Sequence, residues 1–225
     1  MTKSPVAPLV TDFASEVSQR LERLIALAGD GRLDVAIGLM TPAEETFAAA
    51  VTLGTQVVID PVVAQDRWTT LADVQRNADR LNARAAQAQI FGLHVGYHNH
   101  DHELSSMIDG RSALEVFADL LEPSVLLEVD LYWATAGGAD VVPLLQRLGD
   151  RVVAVHAKDG PMRPGITDRE LPKDQRPAGQ GDVPLAAALT AGLPIRYAVI
   201  EFDHYGGDTF AWIAESFAFL QSTLG

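Results

Sequence analysis

The string GYHNHDHEL, residues 96–104, sets His98, His100 and His102 at every second position, with Asp101 and Glu103 beside them. Imidazoles and carboxylates at this density suit divalent-metal ligation or proton transfer, and a merely polar loop is the third reading. Similar groups recur further along the chain. VLLEVDLYW (125–133) carries Glu128 and Asp130, RVVAVHAKD (151–159) carries His156 and Lys158, and YAVIEFDH (197–204) carries Glu201 and Asp203. There is no cysteine, so thiolate sites and disulfides are excluded and His, Asp and Glu are the strong ligands available.

Each of these strings has the β-branched, apolar character of a buried parallel strand. Alternate side chains of a strand share a face. His98 therefore sides with His94 and Gly96, against Leu93, Val95 and Tyr97. Glu128 and Asp130 oppose Leu127, Val129 and Leu131; His156 and Lys158 oppose Val153, Val155 and Ala157; Glu201 and Asp203 oppose Ala198, Ile200 and Phe202. Four strands thus bring a metal-capable side chain to their C-terminal ends on the less apolar face. The convergent set is His98, Asp130, His156 and Glu201. Two imidazoles and two carboxylates suit Mn, Zn, Co or Fe, admit Mg, and argue against calcium. Taken singly, each is more readily a buried histidine or a capping aspartate; the coincidence of four favours a site.

Lys158 shares the face of His156 and can bind an anionic oxygen or polarise a carbonyl, or else pair with Glu128 or Asp159. Glu128 is expected one layer below Asp130, orienting a ligand from behind. Trp133 can wall a sugar pocket or simply pack. His100 and Glu103 are candidate substrate or proton-transfer groups, and His102 is expected to face solvent. The Pro- and Gly-rich segment 160–184 is either a lid or a disordered loop.

Strands and helices alternate from residue 33 onward. LDVAIG (33–38), TQVVID (55–60) and LHVGYH (93–98) precede the three strings above, and helix-like stretches lie between, several closing on glycine. A parallel α/β fold follows, either a closed (β/α)8 barrel or an open doubly wound sheet. No G-x-G-x-x-G or P-loop string is present, which favours the barrel. With VAPLV (6–10) as a weak strand followed by a helix over 12–29, the strands number seven, one short of the eight a barrel needs. The expectation is a single domain over 1–225, with its first βα unit missing or degenerate.

The 225 residues carry a net charge of -13 and show no cluster of basic residues, which disfavours nucleic acid as a partner. No apolar run spans a bilayer and no secretory signal opens the chain, so no membrane partner and a cytoplasmic location are expected.

With these strings in hand, the sequence resembles the sugar phosphate isomerase/epimerase family, the xylose isomerase-like TIM barrels that include hydroxypyruvate isomerase, inosose dehydratase and ketose 3-epimerases. GYHNHDHEL, LLEVDLYWATAGGAD, RVVAVHAKDG, PAGQGDVP and VIEFDHYGGD carry the likeness, over roughly residues 33–222. The resemblance implies a divalent ion at the barrel mouth, held by His98, where many members have Glu, with Asp130, His156 and Glu201. It implies a small sugar, keto-sugar or polyol as substrate, and Glu201 as the acid/base beside a metal-polarised carbonyl. His98 and Lys158 complete the expected catalytic set, and His100, Glu103, Trp133 and Lys158 the substrate contacts. Gln180 stands where Glu is common, and Pro184 where Asp is.

With His98 in place of the first glutamate, a two-base epimerisation lacks one carboxylate, whereas isomerisation or β-elimination needs only one base. An isomerase or epimerase leads. A lyase or dehydratase of a keto-sugar or inosose, a repair endonuclease and a non-catalytic barrel subunit follow, with a homodimer as a further expectation.

Overall fold

The computed structural model describes residues 43–204 and 206–225. The elements expected over 6–10, 12–29 and 33–38 lie outside the described residues.

Helix α1 (Ala43–Thr52) leads into β1 (Val57–Asp60). A 3-10 turn (Gln65–Trp68) and α2 (Leu71–Gln89) then return the chain to β2 (His94–His98). The Thr70 hydroxyl caps α2 by accepting from the Asp73 N–H, and Val74, Ala78, Leu81, Ala85 and Ala88 form its buried stripe. Gly54 and Gly92, two and three residues beyond the ends of these helices, take φ of 72° and 71°, a region other residues enter only with strain.

After β2 come a short helix α3 (His102–Ser105) and a hairpin of β3 (Met107–Ile108) and β4 (Arg111–Ser112), turned at Asp109–Gly110. Helix α4 (Ala113–Leu120) follows, held at its start by a reciprocal capping box between Ser112 and Glu115. Then β5 (Leu126–Asp130) runs directly into α5 (Leu131–Ala136). The sequence pattern carried that strand to Trp133. The chain leaves it at Asp130 because the Asp130 side chain accepts from the Trp133 N–H and so caps the helix. Helix α6 (Val141–Leu148), β6 (Val152–His156), α7 (Leu185–Leu189), β7 (Tyr197–Val199) and α8 (Thr209–Leu224) complete the described chain.

Five strands form one parallel sheet in the order β1-β2-β5-β6-β7. This arc of a barrel wall has its helices outside. Tyr97, on the outward parity of β2, packs against Trp68 and Phe117 with ring centroids 5.1–5.4 Å apart across the three pairs. The apolar parity thus meets the helices and the polar parity faces the barrel interior. Among the described residues, no helix is long and apolar enough to cross a membrane.

Candidate metal centre

Strands β2, β5 and β6 end on His98, Asp130 and His156. Register decides which of these stand side by side. His98 pairs with Glu128, and Asp130 with His156. Between Leu127 and Glu128 the β5/β6 register slips, which puts Glu128 opposite Ala154 and keeps Asp130 level with His156. The ligand-capable atoms of His98, Asp130 and His156 all lie within 4.8 Å of one another.

His98 and Asp130 are buried and incompletely bonded, while His156 is half-buried. Asp130 Oδ1 accepts from the Trp133 N–H at 2.9 Å, while Oδ2 has no hydrogen bond. Lys158 Nζ lies 3.0 Å from that oxygen, outside hydrogen-bonding directions, with His156 Nδ1 at 3.6 Å and His98 Nε2 at 4.0 Å. His98 Nδ1 is likewise buried and unbonded, 3.4 Å from Glu128 Oε2. Buried polar atoms are bonded in nearly every native protein, so the orphaned Asp130 Oδ2 between two imidazoles marks a place for a ligand.

Glu128 stands behind the imidazoles, as expected. Its Oε2 lies 3.2 Å from His156 Nε2 and 3.4 Å from His98 Nδ1, the ring nitrogens opposite those nearest Asp130 Oδ2. Glu201 Oε2 sits 2.5 Å from His156 Nδ1 and 2.9 Å from Lys158 Nζ, and its side chain, 38% exposed, is the most accessible carboxylate here. Glu201 therefore touches the cluster through His156 and lies on its solvent side.

The charges shape one another. Burial opposes a charge on His156, but its contacts with Asp130, Glu128 and Glu201 prevail and push it up to about 11. Burial likewise opposes the charge on Glu128, and contacts with His156 and His98 hold it down at about 2. For Asp130 the burial penalty is outweighed by Lys158 and the two imidazoles, which keep it well below the usual carboxylate range. Three carboxylates that drive a proton onto an imidazole make a field that favours a cation between them.

Lys158 is 1% exposed and bridges Asp130, Glu201 and Asp203 at 3.0, 2.9 and 2.8 Å. Neither Glu128 nor Asp159 is its partner. Burial opposes the charge on Lys158, and the three carboxylates overcome it and raise the lysine. The Nζ also lies 5.3 Å from the ring centre of buried Trp133.

Asp159, expected only as a possible partner of Lys158, and Gln175, which sequence reasoning passed over, organise the surroundings. Asp159, fully buried, accepts from the N–H groups of Gly160, Gly179, Gly181 and Val183 at 2.8, 2.9, 3.0 and 3.1 Å, folding the 160–184 segment back on itself. A Cβ on Gly181 would collide with Asp159 Oδ1 and the Gly160 backbone, so only glycine fits there. Gln175, also buried, accepts from the Asp203 and His204 N–H groups and donates to Asp203 Oδ2 at 2.8 Å. The signals were present, an Asp beside a Gly-rich loop and a lone Gln inside it, but neither names its partner. Gln180 donates to Glu215 on α8 at 2.7 Å, and Pro184 caps α7.

Within GYHNHDHEL the residues part company. His100 is half-buried, its ring 5.1 Å from that of His98 and 6.4 Å from that of Trp133; burial and the neighbouring imidazoles of His98 and His102 lower it to about 4. Glu103 is wholly buried and accepts from the Tyr97 hydroxyl at 2.6 Å and the His100 N–H at 2.8 Å. Its carboxylate is turned into the wall, where it fixes the turn that presents His100. His102, expected in solvent, is 2% exposed, because the chain enters α3 at that residue and swings the ring inward.

Comparison with known proteins identifies the fold family. The model of the xylose isomerase-like TIM barrel matches residues 40–223. The chain belongs to the xylose isomerase-like TIM barrel family. Among solved structures, a sugar phosphate isomerase/epimerase from Parabacteroides distasonis is 19% identical with a TM-score of 0.62, covering 80% of this chain and 64% of its own. The IOLI protein with a bound zinc atom is 16% identical with a TM-score of 0.61, covering 80% of this chain and 67% of its own. An L-ribulose 3-epimerase is 18% identical with a TM-score of 0.59, covering 85% of this chain and 67% of its own. The chain thus spans about two thirds of the length of these relatives. None of the curated proteins matches it by sequence.

As a xylose isomerase-like barrel, the chain offers a donor set suited to a divalent ion. The observation that tests the fit is Asp130 Oδ2, buried and without a hydrogen bond, with His156 Nδ1 at 3.6 Å and His98 Nε2 at 4.0 Å beside it.

Proposed function

We propose that this chain is a divalent-metal-dependent isomerase or epimerase of a small sugar, keto-sugar or polyol. His98, Asp130 and His156 would hold the ion, with Glu201 closing the set from the solvent side and Glu128 adjacent. Bound there, the ion supplies Lewis acidity to a substrate carbonyl and its neighbouring hydroxyl. The carrying observation is the convergence of those strand-end side chains around the orphaned Asp130 Oδ2 at the barrel mouth.

The other roles belong to the chain's own groups. Lys158, held by three carboxylates, keeps a fixed positive charge at Nζ for a substrate oxygen. It also keeps Glu201 ionised: burial raises that carboxyl, but His156 and Lys158 outweigh it and hold it at about 2. Glu201 therefore stands ready to accept a proton from the carbon next to the carbonyl. Trp133 and His100 would form the wall against which the sugar lies.

With Glu103 committed to Tyr97 and the His100 backbone, Glu201 is the carboxylate left facing outward. That favours chemistry with one carboxylate base, isomerisation through an enediol ahead of two-base epimerisation. The same economy permits elimination of water from a keto-sugar, the second reading.

Protein purified without chelator and assayed on ketoses, aldoses and inososes in deuterium oxide separates these. Isomerisation incorporates one deuteron and otherwise conserves mass, whereas elimination loses the mass of water. Absence of both exchange and turnover in metal-loaded protein overturns the proposal.

A further inference from the structure

A second group of metal-capable side chains stands away from the strand ends. Asp101 and His102, at the start of α3, meet Asp168 of the 160–184 segment, with one ligand-capable atom from each within 4.8 Å of the others. Asp101 and His102 are buried, at 5% and 2% exposure, and the Asp168 side chain is 22% exposed.

The hydrogen bonds around His102 fix its tautomer. Nε2 lies 3.1 Å from the Val63 carbonyl, which can only accept, so Nε2 carries the hydrogen. In the neutral ring Nδ1 then presents a lone pair. It is buried, has no hydrogen-bond partner, and points toward Asp168 Oδ2 at 3.5 Å. A backbone carbonyl that orients the far nitrogen is the usual support behind a metal-bound imidazole.

The opposing groups are all acceptors. Asp101 Oδ1 takes the Asp168 N–H at 2.8 Å, which brings the two carboxylates together. Among the described residues, no lysine or arginine forms an ion pair with either of them, and the cation-capable group beside Asp168 is His102. Two carboxylates and an imidazole lone pair around one small space lack only a positive centre.

We propose that Asp101, His102 and Asp168 form a second divalent-cation site, separate from the strand-end centre, that clasps the 160–184 segment to the turn after β2. One nitrogen and two carboxylate oxygens, with open positions for water, suit zinc or manganese better than calcium. Ligand bonds of about 2.1 Å place donor atoms about 3–3.5 Å apart in a tetrahedral site, close to the 3.5 Å already seen between His102 and Asp168. The competing state is an imidazolium His102 paired directly with Asp168, with no metal.

The test uses the full chain and zinc alone. Equilibrium dialysis with elemental analysis, after confirming by circular dichroism that each variant is folded, is expected to give two equivalents for wild type. Asp168→Asn should retain one equivalent, as should Asp101→Asn should the first variant fold poorly. His156→Gln should also retain one, because it touches only the strand-end centre. Zinc should slow proteolysis within 160–184 for wild type and His156→Gln, and not for Asp168→Asn. Wild-type zinc stoichiometry unchanged by both aspartate variants overturns the proposal. So does a doubly protonated His102 ring, seen by nitrogen NMR, that zinc leaves unaltered. Loss of metal in His156→Gln alone would uphold the strand-end centre while removing this one, so the two readings fail separately.

Discussion

Two aspartates, Asp130 and Asp159, are both completely buried near the ends of β5 and β6, yet they are opposites in bonding. Asp159 spends both oxygens on four N–H groups of the returning loop. Asp130 spends one oxygen on a helix cap and leaves the other beside two imidazoles and a lysine without a directed bond. A buried carboxylate that the backbone saturates builds structure. One left short is available to something not yet in place. The same contrast separates Glu103, closed by Tyr97 and the His100 N–H, from Glu201, which remains open to solvent on one side.

The sharpest way to break this contrast is to give each aspartate the change that its role should resist. Asp130→Asn keeps the capping oxygen and should lower turnover by about 10³-fold, roughly 4 kcal/mol in the barrier. Its unfolding free energy in chelator, read from urea titration, should stay within about 1 kcal/mol of wild type. Asp159→Ala should cost about 3–5 kcal/mol of stability in the same titration, since four buried donors lose their acceptor together. Equal destabilisation by both would erase the distinction.

Lys158→Met tests whether the lysine belongs to the open group. Removing it leaves Asp130, Glu201 and Asp203 without their shared cation, so kcat should fall about 100-fold and metal-free stability by about 2–3 kcal/mol. Bound divalent metal should restore part of that stability, measured as a rise in Tm on adding manganese. Gln175→Leu, which releases Asp203 from behind, should have a smaller effect, about tenfold in kcat. The smallest change is Tyr97→Phe. It deletes one bond to Glu103 and should cost about 1–2 kcal/mol in the urea titration, with kcat nearly unchanged.

Much of the site was legible because strand parity is local. Tyr97 and His98 must point to opposite faces whatever the rest of the chain does, and the apolar set of β2 duly meets Trp68 and Phe117 while His98 turns inward. The same rule placed Asp130 and His156. It set Glu128 behind the ligands as well, but its reach to both imidazoles depends on the His98–Glu128 register and on the slip after Leu127, which are properties of pairs of strands. It failed for His102 because parity ends where the strand does, and α3 begins at that very residue.

The sequence by itself determined the alternation of strands and helices, the polar and apolar faces of the central strands, and the chemical types brought to their ends. These follow from backbone periodicity and side-chain hydrophobicity, which act over a few residues. Only the tertiary structure decided which groups are satisfied and which are left open. Asp159 and Asp130 are the same residue type at nearly the same depth, and they differ because a loop ending more than twenty residues later delivers its N–H groups to one and not the other. Hydrogen-bond satisfaction is a property of distant segments meeting, and no local pattern encodes it.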